Sequence, residues 1–207
     1  MLNKVLPYGN LLNCVLARMW NFGEDGESTS LRIDNRPQIV RQILTENWSS
    51  NLPWLSISFN KIYPDKVIDF LFIGSLRTAQ TASVYHDCGI RYVLTIGRDM
   101  DVKIEPGMFH RVILFDDFPG ENISFIFKEA FGFIDQARKA KKGVLVHCFA
   151  GLSRSVAIAA AYLMRERRIS YEQAMSIIRQ ARPAAHPNEG FVKTLREYES
   201  ALINGSY

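Results

Sequence analysis

The sequence predicts an α/β fold in which a central, mostly parallel sheet is flanked by helices. From about residue 62 onward, short apolar runs rich in β-branched residues alternate with segments of helical periodicity, and this alternation is typical of strand–helix–strand units. Apolar runs also end directly in glycine or in polar residues that can do chemistry. In such folds the ligand site lies at the carboxyl ends of the strands, so we expect these residues to meet there.

The length and composition of the chain indicate a single catalytic-size domain with an extension. The chain has 207 residues, of which 47% are hydrophobic and 22% charged, enough for one domain of roughly 150 residues. We place the extension at residues 1–60 and the domain at residues 61–207.

Two segments of the extension, residues 11–20 and 37–48, have apolar residues at helical spacing. Basic residues are too few there for a helix that lies on a membrane surface. We therefore expect the extension to be partly helical and to dock on the domain or on a partner.

The domain opens with an apolar run, residues 67–73, that ends at Gly74 and predicts the first strand. Helical signals follow as far as residue 87. Residues 92–96 form a second apolar strand, and the polar stretch at residues 97–110 predicts a loop.

A third strand, residues 111–115, runs into two carboxylates, Asp116 and Asp117, and a turn that contains Pro119. A long helix is predicted from residue 122 or 124 to 142. A carboxylic acid in such a loop can protonate a leaving group. Either aspartate could instead only cap the turn.

Residues 143–155 combine a β-branched run, the pair His147-Cys148, a glycine at position 151 and an alanine-rich continuation. This order predicts a buried strand, a tight loop and a helix. The first amides of a helix lack intrahelical partners and lie at the positive end of its dipole, so the loop should bind an anion such as phosphate.

Cys148 and Arg154 supply the loop with a nucleophile and a phosphate-binding group. The field of the helix terminus and of Arg154 should favour the thiolate, which is the nucleophilic form of Cys148. The planar guanidinium of Arg154 can hold two phosphoryl oxygens, and Ser155 can hydrogen-bond the sulfur as it leaves. The phosphate-binding amides would belong to Phe149, Ala150, Gly151, Leu152, Ser153 and Arg154. The alternative to a catalytic loop is that a buried cysteine and a surface arginine occur at this spacing by chance. This alternative leaves the rest of the pattern unexplained.

The last part of the chain reads as three helices. Residues 156–168 continue from the loop, and a capping box formed by Ser170 and Gln173 starts a helix that runs to about residue 181. Arg182 and Pro183 end that helix, and a final one begins after Asn188, which is a favourable capping residue.

The segment His147 to Ser155 has the pattern His-Cys-x5-Arg-Ser, which resembles the signature of the cysteine-dependent protein phosphatases of the protein tyrosine phosphatase superfamily. Its Ser-Arg-Ser ending is similar to the atypical dual-specificity branch. Tyrosine-specific relatives usually end in Arg-Thr-Gly, and inositol-lipid phosphatases carry lysines inside the loop. Supporting stretches read LFIGS, AYLM and PNEGF, so the resemblance covers about residues 60–203.

The resemblance implies a phosphatase-like fold and roles for further residues. Asp117 becomes the general acid, because it lies 31 residues before Cys148 and Pro119 follows it; Asp116 is the alternative. His147 would support the loop, and Asn188 would brace it or simply cap the final helix. The implied activity is hydrolysis of phosphotyrosine and phosphoserine or phosphothreonine in proteins through a phosphocysteine intermediate. Alternatives are a non-protein substrate (a phosphoinositide, an RNA 5′ end or a phosphoglucan) or a non-catalytic phosphoprotein-binding module.

Charge and cysteine content agree with this interpretation. Basic residues concentrate between positions 138 and 182, where their field would attract phosphorylated proteins, although most of them also fit a solvated helix face. No aromatic residues are interleaved with them, so we expect no nucleic-acid partner. Three cysteines without paired spacing and four scattered histidines indicate a reducing compartment, no metal and no cofactor.

The sequence has no apolar run of about twenty residues and no recognisable secretion or lipidation signal. We therefore expect no membrane association and a cytoplasmic or nuclear location, or both.

Overall fold

The structure is a computed structural model that describes residue 58 and residues 60–205. The two helices predicted at residues 11–20 and 37–48 lie outside the described residues.

The domain is built on a five-stranded sheet in the order β1-β2-β5-β3-β4. The antiparallel pair is β1 with β2, and the other three neighbouring pairs are parallel. The strands are β1 (Asp65–Ile68), β2 (Leu71–Gly74), β3 (Ile90–Ile96), β4 (Phe109–Ile113) and β5 (Gly143–His147). The predicted mostly parallel α/β sheet is confirmed.

Helices cover both faces of the sheet because the strand residues alternate between two hydrophobic clusters. Val144 and Val146 of β5 belong to the larger cluster, whereas Leu145 belongs to the smaller one. The helices are α1 (Leu76–Ala79), α2 (Ala82–Asp87), α3 (Phe127–Lys139), α4 (Arg154–Arg167), α5 (Tyr171–Ala181) and α6 (Glu189–Ile203). The larger cluster contains the buried apolar residues of α3 to α6, and the smaller one contains residues of α1 and α2.

Helix α4 is the central helix of the larger layer. Its residues 154–164 are all buried, and it contacts α3, α5 and α6 as well as β2 and β5. The small side chains of the run Ala159–Ala161 are completely buried in this layer. This packing fixes the start of α4, and with it Arg154, at the end of β5.

Several element boundaries differ from the predictions. The single strand predicted at residues 67–73 is wrong, because the chain turns at Asp69 and Phe70 to form the β1–β2 hairpin. Asp69 is fully exposed, as suits a turn residue. The third strand lies at Phe109–Ile113, two residues earlier than predicted. The helix predicted from residue 122 begins as a 3₁₀ helix, Ile123–Ile126, with Asn122 as its cap.

The predicted caps of the last two helices are confirmed. The Ser170 hydroxyl accepts from the Gln173 amide while the Gln173 side chain accepts from the Ser170 amide. The Asn188 side chain accepts from the amide of Phe191 at 2.9 Å. Within the described part of the chain, no helix has both the length and the hydropathy that a bilayer span requires.

Candidate active site

The site is a loop that joins β5 to α4, and we call residues 148–153 the cysteine loop. Cys148, the first residue of the loop, and Arg154, which follows the loop and begins α4, have no solvent exposure. Gly151 has a φ of +70°, and a Cβ there would lie 2.4 Å from the carbonyl oxygen of Gly74. The loop therefore needs glycine at this position both for the backbone conformation and for the close approach of β2.

The peptide carbonyls of the cysteine loop turn away from its concave side. Five successive carbonyl oxygens, those of residues 148–152, accept hydrogen bonds from groups behind the loop. The donors are, in order, His147 Nδ1 at 3.2 Å, the Leu76 amide at 2.9 Å, Arg182 Nη2 at 2.9 Å, Arg182 Nε at 2.6 Å and the His186 amide at 2.8 Å. In a trans peptide the N–H points opposite to the C=O. The amides of residues 149–153 are therefore directed away from these donors, as in a nest that binds anions.

Arg182 is the main support behind the loop, and the sequence did not reveal it. Its side chain is almost fully buried. Besides the two loop carbonyls, it donates to Asp65 Oδ2 and Ser58 Oγ, each at 2.6 Å. The prediction that this residue ends a helix is confirmed. Its inclusion in the basic field that attracts substrates is wrong, because its charge is buried and paired with Asp65.

His147 is held in one tautomer by two hydrogen bonds, and a third bond fixes the direction of one of them. Its Nδ1 must donate, because its partner there is the Cys148 carbonyl. Its Nε2, 2.7 Å from Thr95 Oγ1, is then the acceptor in the neutral ring. Thr95 Oγ1 also lies 2.8 Å from Nε2 of His110, from which it accepts. Thr95, which is buried in β3, was not among the predicted site residues.

The reactive groups lie together at the mouth of the loop. Cys148 Sγ is 3.3 Å from Ser155 Oγ, as the predicted role of Ser155 requires. Arg154 Nη1 donates to the Phe115 carbonyl at 3.2 Å, and Nε lies 3.4 Å from Asp117 Oδ2.

The two aspartates have different surroundings. Asp117 is buried, and its Oδ1 accepts from Ser153 Oγ at 2.7 Å and from Asn188 Nδ2 at 2.8 Å. Asp116 is partly exposed, and its ion pair is with Arg98. The structure thus places Asp117 against the cysteine loop, whereas Asp116 forms its ion pair with Arg98, away from the loop.

Asn188 makes both of the contacts that were considered for it. Its side-chain oxygen caps α6 and its side-chain nitrogen donates to Asp117, while its backbone amide donates to Ser153 Oγ at 3.1 Å. It therefore links α6 to both the cysteine loop and Asp117.

All of the predicted site residues converge in this region. Four further residues, which the sequence did not suggest, lie behind the loop. They are Thr95, Arg182, Asp65 and Ser58. Among the described residues, no group of three or more His, Cys, Asp or Glu side chains is arranged to hold a metal ion.

The burial of His147 predicts a pH dependence of stability. Burial lowers the pKa of His147 from 6.5 to about 3, so the unfolded chain binds this proton more readily between those two values. The free energy of unfolding should therefore fall as pH decreases from about 6.5 towards 3, by up to about 1.4 kcal/mol per pH unit from this group.

Urea unfolding at several pH values would measure this dependence for wild type and for His147→Asn, whose amide can still donate to the Cys148 carbonyl. The variant should have the shallower slope. His86→Asn, at an exposed position of α2, should keep the wild-type slope. Equal slopes in wild type and His147→Asn would contradict the prediction.

Arg182 predicts a large effect on stability. In Arg182→Met the Asp65 carboxylate keeps only its ion pair with the half-exposed Lys61, and the carbonyls of Ala150 and Gly151 lose donors. We therefore expect a loss of about 3 to 5 kcal/mol in the free energy of unfolding. The double variant Arg182→Met/Asp65→Asn should recover part of it, because the buried carboxylate charge is removed as well. Arg196→Met, which removes an exposed ion pair with Glu172, should change stability by no more than about 1 kcal/mol. Similar losses in both single variants would argue against the buried support.

Comparisons with known proteins agree with this geometry. The family described as "Dual specificity phosphatase, catalytic domain" matches residues 71–201. Dual specificity protein phosphatase 1B of Arabidopsis thaliana is 36% identical over 132 residues, which cover 64% of this chain and 79% of that protein. Human dual specificity protein phosphatase 7 is 32% identical over 160 residues, which cover 76% of this chain and 37% of that protein.

Solved structures show the same likeness. The crystal structure of human DUSP28 is 31% identical with a TM-score of 0.65, and the match covers 68% of this chain and 95% of that one. The human tyrosine phosphatase-like serine/threonine/tyrosine-interacting protein is 29% identical with a TM-score of 0.62, covering 69% and 99%. These matches confirm the predicted fold and the predicted class of phosphatase. The chain therefore belongs to the dual specificity phosphatase family.

Proposed function

We propose that this protein hydrolyses phosphotyrosine and phosphoserine or phosphothreonine in proteins through a phosphocysteine intermediate on Cys148. The observation that carries the proposal is the set of five loop carbonyls turned backward, which leaves the amides of residues 149–153 for a phosphoryl group beside the sulfur. In this proposal the catalytic domain is residues 61–207. Residues 1–60 form an accessory extension that docks on it or on a partner.

The first step transfers the phosphoryl group to sulfur. The loop amides and the Arg154 guanidinium hold its oxygens and balance the negative charge of the transition state. The Cys148 thiolate attacks phosphorus as the bond to the leaving oxygen breaks, and the Asp117 carboxyl gives that oxygen a proton.

The second step releases phosphate. Asp117, now a carboxylate, takes a proton from a water molecule that attacks the phosphocysteine. The bond between sulfur and phosphorus breaks, and the Ser155 hydroxyl, 3.3 Å from Cys148 Sγ, hydrogen-bonds the departing thiolate. The cycle uses side chains and backbone amides of the chain together with water, and the proposal includes no metal or cofactor.

The relatives named dual specificity protein phosphatases support phosphorylated proteins as the substrate class, and we propose a cytoplasmic or nuclear location. The alternative is a non-catalytic phosphoprotein-binding module, and one structural relative is named a tyrosine phosphatase-like serine/threonine/tyrosine-interacting protein. Turnover of a small aryl phosphate would distinguish an enzyme from such a module. Assays on phosphopeptides, phosphoinositides, RNA 5′ ends and phosphoglucans in parallel would identify the substrate class.

Replacement of the nucleophile is the direct test of the mechanism. Cys148→Ser should retain less than about a hundredth of wild-type turnover, since a neutral hydroxyl is a poor nucleophile. Phosphopeptide binding should persist, because the amides and Arg154 remain. Cys88→Ser changes a partly exposed thiol at the end of α2 and should leave turnover unchanged. Equal turnover in Cys148→Ser and wild type would exclude Cys148 from the mechanism.

The role of Asp117 predicts a dependence on the leaving group. Asp117→Asn should lower kcat on phenyl phosphate by about 10² to 10³, and much less on an aryl phosphate whose leaving group departs without a proton. Asp116→Asn, which alters only the pair with Arg98, is the matched control and should show neither change. If the leaving-group effect follows Asp116→Asn instead, the acid is the neighbouring residue.

A further inference from the structure

The first turn of α6 lies directly against the segment that carries Asp117, which we call the aspartate loop (residues 116–120). Gly190, the second residue of α6, faces Pro119 of that loop. A Cβ at position 190 would lie 1.9 Å from the Pro119 carbonyl oxygen, 2.6 Å from its carbonyl carbon and 2.8 Å from its Cα. All three are backbone atoms, so a side-chain rotation cannot relieve the contact.

A glycine near the start of a helix needs a reason, because it destabilises a helix interior by roughly 0.5 to 1 kcal/mol relative to alanine. The backbone of Gly190 does not supply one, since it is not among the glycines with positive φ. The close approach of Pro119 does. The contact between the two backbones requires that position 190 lack a side chain.

The same turn of α6 also holds the carboxylate. Asn188, the cap of α6, donates to Asp117 Oδ1 at 2.8 Å, and Gly190 admits Pro119 two residues further along the aspartate loop. Asp117 and Pro119 are therefore both located by the first turn of one helix.

The aspartate loop can be displaced outward, because its outer side faces solvent. Phe118, Pro119 and Gly120 are exposed, whereas Phe191 and Leu195 of α6 are buried in the core. A side chain at position 190 would thus displace the loop into solvent more readily than it would displace the helix.

We propose that Gly190 is a positioning residue for the general acid, and that the absence of its side chain lets the aspartate loop rest on α6 with Asp117 at the leaving group. This inference rests on the proposed function, because it assigns Gly190 a part in the protonation step. Gly190 acts through Asp117 and touches no reacting atom.

The test is Gly190→Ala, assayed on two substrates. With the acid displaced, kcat on phenyl phosphate should fall by about 10² or more, while kcat on an aryl phosphate with a strongly acidic leaving group should change by only a few-fold. Gly132→Ala is the matched control. It lies at an exposed position of α3 where a Cβ would meet no atom within 4 Å, and it should leave both rates unchanged.

A double variant separates positioning from a general effect on the enzyme. Gly190→Ala combined with Asp117→Asn should be no slower on phenyl phosphate than Asp117→Asn alone, since both changes remove the same step. Equal losses on both substrates, additive losses in the double variant, unchanged kinetics or a variant that does not fold would each overturn the proposal.

Asp117→Asn measured alongside also separates this inference from the proposed function. If Asp117→Asn itself shows no leaving-group dependence, the assignment of the acid fails. If Asp117→Asn shows that dependence and Gly190→Ala does not, the acid assignment survives and the role of Gly190 fails.

Discussion

The structure depends on the direction of a few peptide groups between β5 and α4. When the N–H of a peptide group points at an anion, the carbonyl of the same group points the other way and needs a hydrogen-bond donor there. A buried carbonyl without a donor costs free energy comparable to a lost hydrogen bond. Here β5, α1 and the segment after α5 supply donors to successive carbonyls. The elements around the cysteine loop thus place hydrogen-bond donors behind it, and these donors fix the direction of its peptide groups.

Burial of charge is the second constraint. Arg154 and Arg182 both have nearly inaccessible guanidinium groups, and a buried cation requires a paired anion and hydrogen bonds. Arg154 lies beside Asp117, which in the proposed cycle is protonated while the phosphoryl group is bound, and Arg182 is paired with the Asp65 carboxylate. The first pair lies at the reactive side of the cysteine loop and the second lies behind the loop. The same combination of a buried arginine and an aspartate therefore serves catalysis in one place and structural support in the other.

Sequence reasoning succeeded where the interaction is local. The strand, loop and helix at residues 143–155, the capping box at Ser170 and the cap at Asn188 all involve neighbours a few residues apart. It failed where the partners are distant in the chain. Arg182 and Asp65 are 117 residues apart, and Thr95 meets His147 only because β3 and β5 are adjacent. The β1–β2 turn was missed because the apolar residues on both sides of Asp69 have the pattern of one strand.

The support behind the cysteine loop also bears on where the functional unit begins. The family match starts at residue 71, but Asp65 and Ser58 precede it, and both hydrogen-bond Arg182. A chain trimmed to the matched residues would keep every reactive group and still leave a buried guanidinium without its counterion. Ser58 and Asp65 therefore belong to the structural unit that supports the cysteine loop, although they precede the residues by which the family is recognised.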